Sequence, residues 1–169
     1  MIKKLNSENQ LPAIVFAFSK KTIDYLAQFS AENLNLLDSD ERKKVNCFFN
    51  KSISHLKDHD KEINQLIILK NLLLKGIGIH HGDLLSISKE IVELLLEKNL
   101  IKVLFATDSF AMGLNMPTKT VIFNSIKKFD GKALRYLECG EYTQMCGRAG
   151  RRGIDLVGNA YIFIPGKDD

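Results

Sequence analysis

Cysteine is scarce in this chain of 169 residues: Cys47, Cys139 and Cys146 form an odd set with no C-x-x-C pair. That excludes a disulfide framework and a cysteine zinc finger, and it points to a reducing, intracellular setting. No apolar run approaches the roughly 18 residues that span a bilayer, and "MIKKLNSENQ" has no signal-peptide apolar region, so a soluble chain with no membrane partner is expected. A phosphate-binding loop of the G-x-x-x-x-G-K-[ST] type is missing. The two "GK" pairs, at 131 and 166, run into Ala133 and Asp168, neither of which can place a hydroxyl on magnesium. "DSDERK" (38–43) has no apolar strand before it and cannot be a Walker B carboxylate. "GIGIHHG" (76–82) is spaced G-x-G-x-x-x-G with its glycines ahead of a strand, which is wrong for a dinucleotide turn. His80, His81 and Asp83 are the sole metal candidates, but adjacent histidines on an extended chain point apart, so no metal site is expected. No G-x-S-x-G elbow surrounds Ser19 to make it a nucleophile.

What is there is the material of one domain. A chain of this length buries roughly 70% of its unfolded surface and folds without staples. Short apolar runs at 12–18, 77–82, 101–107, 119–124 and 158–165 read as strands. Helices are expected at 20–31, 38–57, 60–75, 86–99 and 140–150, the second opened by a capping box of Asp38 and Glu41 and the third stopped by Gly76. Continuous rather than alternating apolar strands, interleaved with helices, predict a mostly parallel sheet covered on both faces. Ligands in such folds sit beyond the carboxyl ends of the strands. That predicts one functional edge holding Ser19, His81, Thr107 and the turn "QMCGRAGRRG" (144–153).

That turn packs Arg148, Arg151 and Arg152 among Gly147, Gly150 and Gly153. Guanidinium forks match phosphate oxygens, and glycines let a backbone come close. Lys119 to Arg152 holds eight basic residues against three acidic ones, a local +5 on a chain of net +4. Such a sector reads either as a site for a polyanion or as a solvated face. Arginines for a phosphate, without a cradle or magnesium ligands, fit a domain that completes another domain's nucleotide site.

"PAIVFAFSKK", "GIGIHHGDLL", "VLFATDSFAMGLNMP" and "QMCGRAGRRG" resemble, in that order, the motif IV region, the segment after it, motif V and motif VI of superfamily 2 helicases. "KKFDGKALRYL" (127–137) and the helical stretch 34–75 resemble the superkiller-type DExH-box RNA helicases of the exosome-associated branch. The resemblance covers 1–169 as a single second RecA-like domain with 34–75 as a helical insertion. It implies a mostly parallel RecA-like sheet with helices on both faces.

It also implies ATP and Mg2+ as cofactors, held mainly by a first RecA-like domain of the same chain. By resemblance Arg151 is the arginine finger, Arg148 reaches the phosphates and Gln144 lies near the γ-phosphate. Gly113, Asn115 and Gly147 face the nucleotide, while Ser19, Lys20, His81, Gly82 and Thr107 contact the backbone of single-stranded RNA. For Arg152 a structural salt bridge is at least as much expected as a phosphate contact, and Met112, Leu114 and Met116 are expected in the core. Asp83 and Ser86 depart from a usual glycine and proline. A 3′–5′ RNA helicase linked to exosome proteins is implied, with the nuclear type favoured over the cytoplasmic, and an isolated domain that is monomeric and inactive. A related DNA helicase and a non-catalytic RNA-binding scaffold are the alternatives.

Overall fold

The computed structural model describes residues 1–113 and 116–163, with the backbone alone at 58 and 59. Five parallel strands form the central sheet: β1 (Ala13–Phe16), β2 (Ile77–His80), β3 (Val103–Ala106), β4 (Thr120–Phe123) and, at the edge, a strand that follows the last helix, Asn159–Ile162. β1 lies between β3 and β4, with Val15 paired to Phe105 on one side and Ile122 on the other. β2 lies outside β3, and Asn159–Ile162 lies outside β4. The first four strands are buried along their whole length, whereas the edge strand is mostly exposed. Continuous β-branched and aromatic runs are what a sheet covered on both faces requires.

The helices are α1 (Ile2–Ser7), α2 (Lys20–Asn33), α3 (Ser39–Ser52), the short α4 (Asp58–Lys61), α5 (Asn64–Leu73), α6 (Ser86–Glu97), α7 (Asp108–Gly113) and α8 (Cys139–Cys146). The expected capping box forms: Asp38 accepts from the amides of Asp40 and Glu41, while Glu41 accepts from the amide of Asp38. The helix predicted over 38–57 ends earlier, at Ser52, and the one over 60–75 is confined to α5. Gly76 sits at φ +79°, which lets the chain turn sharply from α5 into β2.

Residues 34–75 contribute Leu37, Val45, Phe49, Leu66, Leu69 and Leu73 to the same hydrophobic core as the sheet. Each such side chain, fully buried, stabilises the fold by about 1.5–3 kcal/mol. The stretch is therefore fastened to the domain through its apolar face, and its Glu41 is tied to Lys102 at 2.7 Å.

Several elements have no counterpart in the sequence reading, α1 among them. α7 follows β3 directly, and an antiparallel hairpin joins β5 (Lys127–Phe129) to β6 (Leu134–Tyr136), so that the edge strand is β7. The predicted last strand extends past residue 163, and that part lies outside the described residues. Among the described residues no helix is long and apolar enough to cross a membrane.

Candidate functional site

The loops after β1, β2 and β3 meet at the carboxyl edge of the sheet. Ser19 is the N-cap of α2, exposed, and its hydroxyl makes no capping bond. Lys20, also exposed, forms an ion pair with Asp83 of the next loop. The ammonium of Lys20 holds the Asp83 carboxyl below its usual range. The departure at Asp83 thus shields a lysine expected to meet RNA.

The backbone of this second loop is held from outside. Gln65 of α5 donates to the Asp83 carbonyl at 3.2 Å and accepts from the Leu85 amide at 2.8 Å, while Lys89 of α6 donates to the Gly82 carbonyl at 3.1 Å. Gln65 was not singled out from the sequence, because a glutamine on a helix gives no signal of a partner eighteen residues away. Thr107 is half-buried, its hydroxyl 2.8 Å from that of Ser109, and its amide donates to the His80 carbonyl at 3.1 Å.

His81 corrects the sequence expectation. Its side chain is only 7% exposed, with Nε2 3.5 Å from Asp24, so the imidazole is buried against α2 rather than presented on the loop surface. Beside it Gly82 is exposed, as is Asp83, and an added Cβ on Gly82 would meet nothing within 4 Å. His80 is likewise buried, with Nε2 2.8 Å from Glu93 and its ring edge-on to Phe110. Desolvation by burial lowers its pKa below the ordinary 6.5 despite the opposing pull of Glu93.

The glycine-arginine turn is a second correction: it is not at this edge. The Thr118 amide donates to the Arg148 carbonyl at 2.8 Å, and the Gly150 amide to the Thr118 carbonyl at 2.7 Å. Thr118 precedes β4, so the turn lies at the amino end of the strand. α8 starts beyond the carboxyl end of β4 and carries the chain back along the sheet, which separates the arginines from Ser19, Gly82 and Thr107. Gly150, at φ +90°, packs on Gly158; a Cβ on Gly158 would come 2.4 Å from the Ala149 carbonyl oxygen. Only glycine permits this backbone-to-backbone approach.

Within the turn, Arg148 donates to the carbonyl of Ala111 in α7, which ties motif VI to motif V. Arg151 grips Asp155 through Nε to Oδ2 at 2.8 Å and Nη2 to Oδ1 at 3.0 Å. Its Nη1 stands 3.4 Å from the Asn99 side chain. Gln144 and Gly147 are exposed on and after α8, as is Gly113 at the end of α7. Asn115 and Leu114 lie outside the described residues. Met112 is 53% exposed, which overturns its expected place in the core, whereas Met116 packs against the core. Arg152 is exposed and makes no ion pair among the described residues, so of its two expected roles the structural salt bridge does not form.

A junction of ion pairs joins the two ends. Lys128 of the hairpin lies 2.6 Å from both Asp108 of α7 and Glu141 of α8. Arg135 forms a fork with Glu141 at 2.9 and 3.0 Å. Hydrogen bonds from Arg135, then Lys128, hold the Glu141 carboxyl far below the carboxylate range. Several cations of the basic segment are therefore internal struts: Lys128 and Arg135 here, Lys119 on the Asn9 carbonyl, Arg148 and Arg151 in the turn. Neither a polyanion site nor a solvated face describes them fully.

A family model described as "Helicase conserved C-terminal domain" matches residues 32–153. The chain is 48% identical over 163 residues to "Antiviral helicase SKI2" of Saccharomyces cerevisiae, covering 96% of the chain and 13% of that protein. It is 46% identical over 169 residues to "ATP-dependent RNA helicase mtr4" of Schizosaccharomyces pombe, covering 100% of the chain and 15% of that protein. It is 45% identical over 168 residues to "Exosome RNA helicase MTR4" of Homo sapiens, covering 99% of the chain and 16% of that protein. The chain thus spans about a sixth or less of the length of these relatives.

Proposed function

The chain belongs to the helicase conserved C-terminal domain family, as a second RecA-like domain of the superkiller-type DExH-box branch, and from this we propose that it is one half of an ATP-driven RNA motor. The observation that carries the reading is the two-ended layout. Exposed Ser19 and Gly82 and half-buried Thr107 stand at the carboxyl edge, and the motif VI arginines stand a strand's length away. α7, α8 and the Arg148 to Ala111 bond connect them.

Cationic and amide donors at Arg148, Arg151 and Gln144 suit the oxygens of a triphosphate, while Asp108, Glu141 and Asp155 are engaged by cations and are poor candidates for a metal. ATP with Mg2+, held mainly by a first RecA-like domain, supplies the phosphoryl transfer. Arg151 is the finger that stabilises charge developing there, Arg148 and Gln144 bind and orient, and Gly113, Asn115 and Gly147 line the approach. Ser19, Lys20, Gly82 and Thr107 grip successive phosphates of single-stranded RNA, the His81 position contributing only its backbone. Such contacts give affinity without sequence readout. Domain closure around the nucleotide alternates with opening and advances the strand 3′ to 5′, for RNA processing and decay linked to the exosome in the nucleus.

RNA-stimulated ATP hydrolysis tests this on three proteins: the chain alone, the longer helicase that contains it, and that helicase with Arg151→Ala. The expected result is a silent chain, an active helicase and a variant slowed at least about a hundredfold, the low side of what a finger supplies. An active isolated chain would mean a complete nucleotide site within it. Unchanged hydrolysis in Arg151→Ala, and again in Arg148→Ala, would leave an RNA-binding scaffold.

A further inference from the structure

We propose that Asp155 is the positioning residue of the arginine finger, the carboxylate that holds the Arg151 guanidinium in its working orientation. The inference rests on the reading of Arg151 as the finger. Three bonds converge on this carboxylate. Oδ2 accepts from Nε of Arg151 at 2.8 Å and from its backbone amide at 3.0 Å, and Oδ1 accepts from Nη2 at 3.0 Å. The clasp is closed from the other side, since the amides of Ile154 and Asp155 donate to the Arg151 carbonyl at 3.0 and 2.9 Å. Gly153, at φ +78°, supplies the left-handed residue that lets the chain return on itself between the two. The Asp155 side chain is 5% exposed and that of Arg151 18%.

The edge of the guanidinium that Asp155 takes decides between holding and blocking. A carboxylate that sequestered the finger would occupy the Nη1–Nη2 end, which faces an incoming anion. Asp155 takes the Nε–Nη2 side instead. The two Nη1 hydrogens and the second Nη2 hydrogen are left, with Asn99 at the long distance of 3.4 Å as a weak partner that a phosphate oxygen displaces. A two-point fork sets both the position and the plane of the guanidinium, which a single bond cannot do. Both partners belong to one five-residue turn, and the pair needs no movement of another element to form. An arginine already held when the nucleotide arrives spends no rotamer freedom at the reacting step, the advantage of a preorganised site.

The test is a double-mutant cycle in the full helicase: Arg151→Ala, Asp155→Asn and both together, with kcat and KM for ATP at saturating RNA and RNA affinity without nucleotide. Asparagine matches aspartate in shape but cannot accept the fork with charge. Asp155→Asn is expected to lower kcat about ten- to a hundredfold, the penalty of a misplaced catalytic group, while KM and RNA affinity hold within about threefold. In the Arg151→Ala background the same substitution is expected to change kcat less than about twofold. Wild-type or faster turnover by Asp155→Asn, beside a slow Arg151→Ala, overturns the assignment and leaves the finger intact. Equal losses in both backgrounds, or loss of RNA affinity together with kcat, mark a role in holding the domain together and also overturn it. An Arg151→Ala variant as fast as wild type removes the finger reading itself, whatever Asp155 does.

Discussion

Gly158 shows how much a single hydrogen atom can carry. With the Ala149 carbonyl carbon 2.5 Å and the Gly150 nitrogen 2.6 Å from where its Cβ would stand, Gly158→Ala forces two backbone segments apart. Neither neighbour is a side chain that can swing away, so the cost falls at about 1–3 kcal/mol. A matching drop in the denaturant midpoint at constant slope is the expected measurement. His80 is a second residue whose effect is local chemistry. Its pKa lies below the ordinary 6.5 in the folded chain, because burial disfavours the imidazolium. The unfolded chain therefore binds the proton first, and stability that is full above pH 6.5 is lost as pH falls through the lower, folded value. Melting followed from about pH 7.5 to about pH 5.5 is expected to show a shallower acid loss in His80→Gln, which can still bond Glu93 but does not titrate. An unchanged slope would place the acid sensitivity elsewhere.

At the scale of elements, the hairpin acts as a clasp. Lys127 and Tyr136 form a cation–π pair on one face, with the ammonium 4.7 Å from the ring centroid, next to exposed Phe129 and Leu134. Lys128 and Arg135, paired across the strands, point to the other face and engage α7 and α8. Lys128→Met removes the one cation that, among the described residues, touches both Asp108 and Glu141. Glu141 keeps Arg135, but the Asp108 carboxylate loses its partner at the start of α7. The expected loss is about 1.5–3 kcal/mol, the range for a hydrogen bond to a charged group. Hydrogen exchange checks the location: amides of α7 and of the hairpin are expected to gain exchange, and those of β1 and β3 to keep their protection. Equal exchange throughout would mean that the junction is ornamental. The hairpin was invisible as secondary structure in "KKFDGKALRYL" because charged residues fill one face and apolar ones are left exposed on the other. The alternation that marks a strand packed on a core is inverted there. α7 escaped for another reason: six residues ending in glycine are too few to show a helical period.

For the whole molecule, the buried strands and the main helices were legible, since β1 to β4 are buried at every position and are apolar except at His80 and Thr120. The capping box at Asp38 was legible too, because both its partners lie within one turn. The expectation of one functional edge failed because the path of α8 along the sheet is invisible to motif spacing. The burial of His81 was equally hidden, since its neighbour Asp24 is fifty-seven residues away in the chain. Asp155 lies only four residues from Arg151, yet the pairing depends on the positive φ of Gly153, which residue types alone do not reveal. By itself, then, the order of residues determined the sheet, its parallel sense, the helical cover and the residue types offered to phosphate, because each follows from local periodicity and chemistry. Only the tertiary structure decided which cations are struts and which face outward, which end of the sheet the arginines occupy and which carboxylate holds Arg151. Those outcomes depend on distances between segments that meet only once the hydrophobic core has closed.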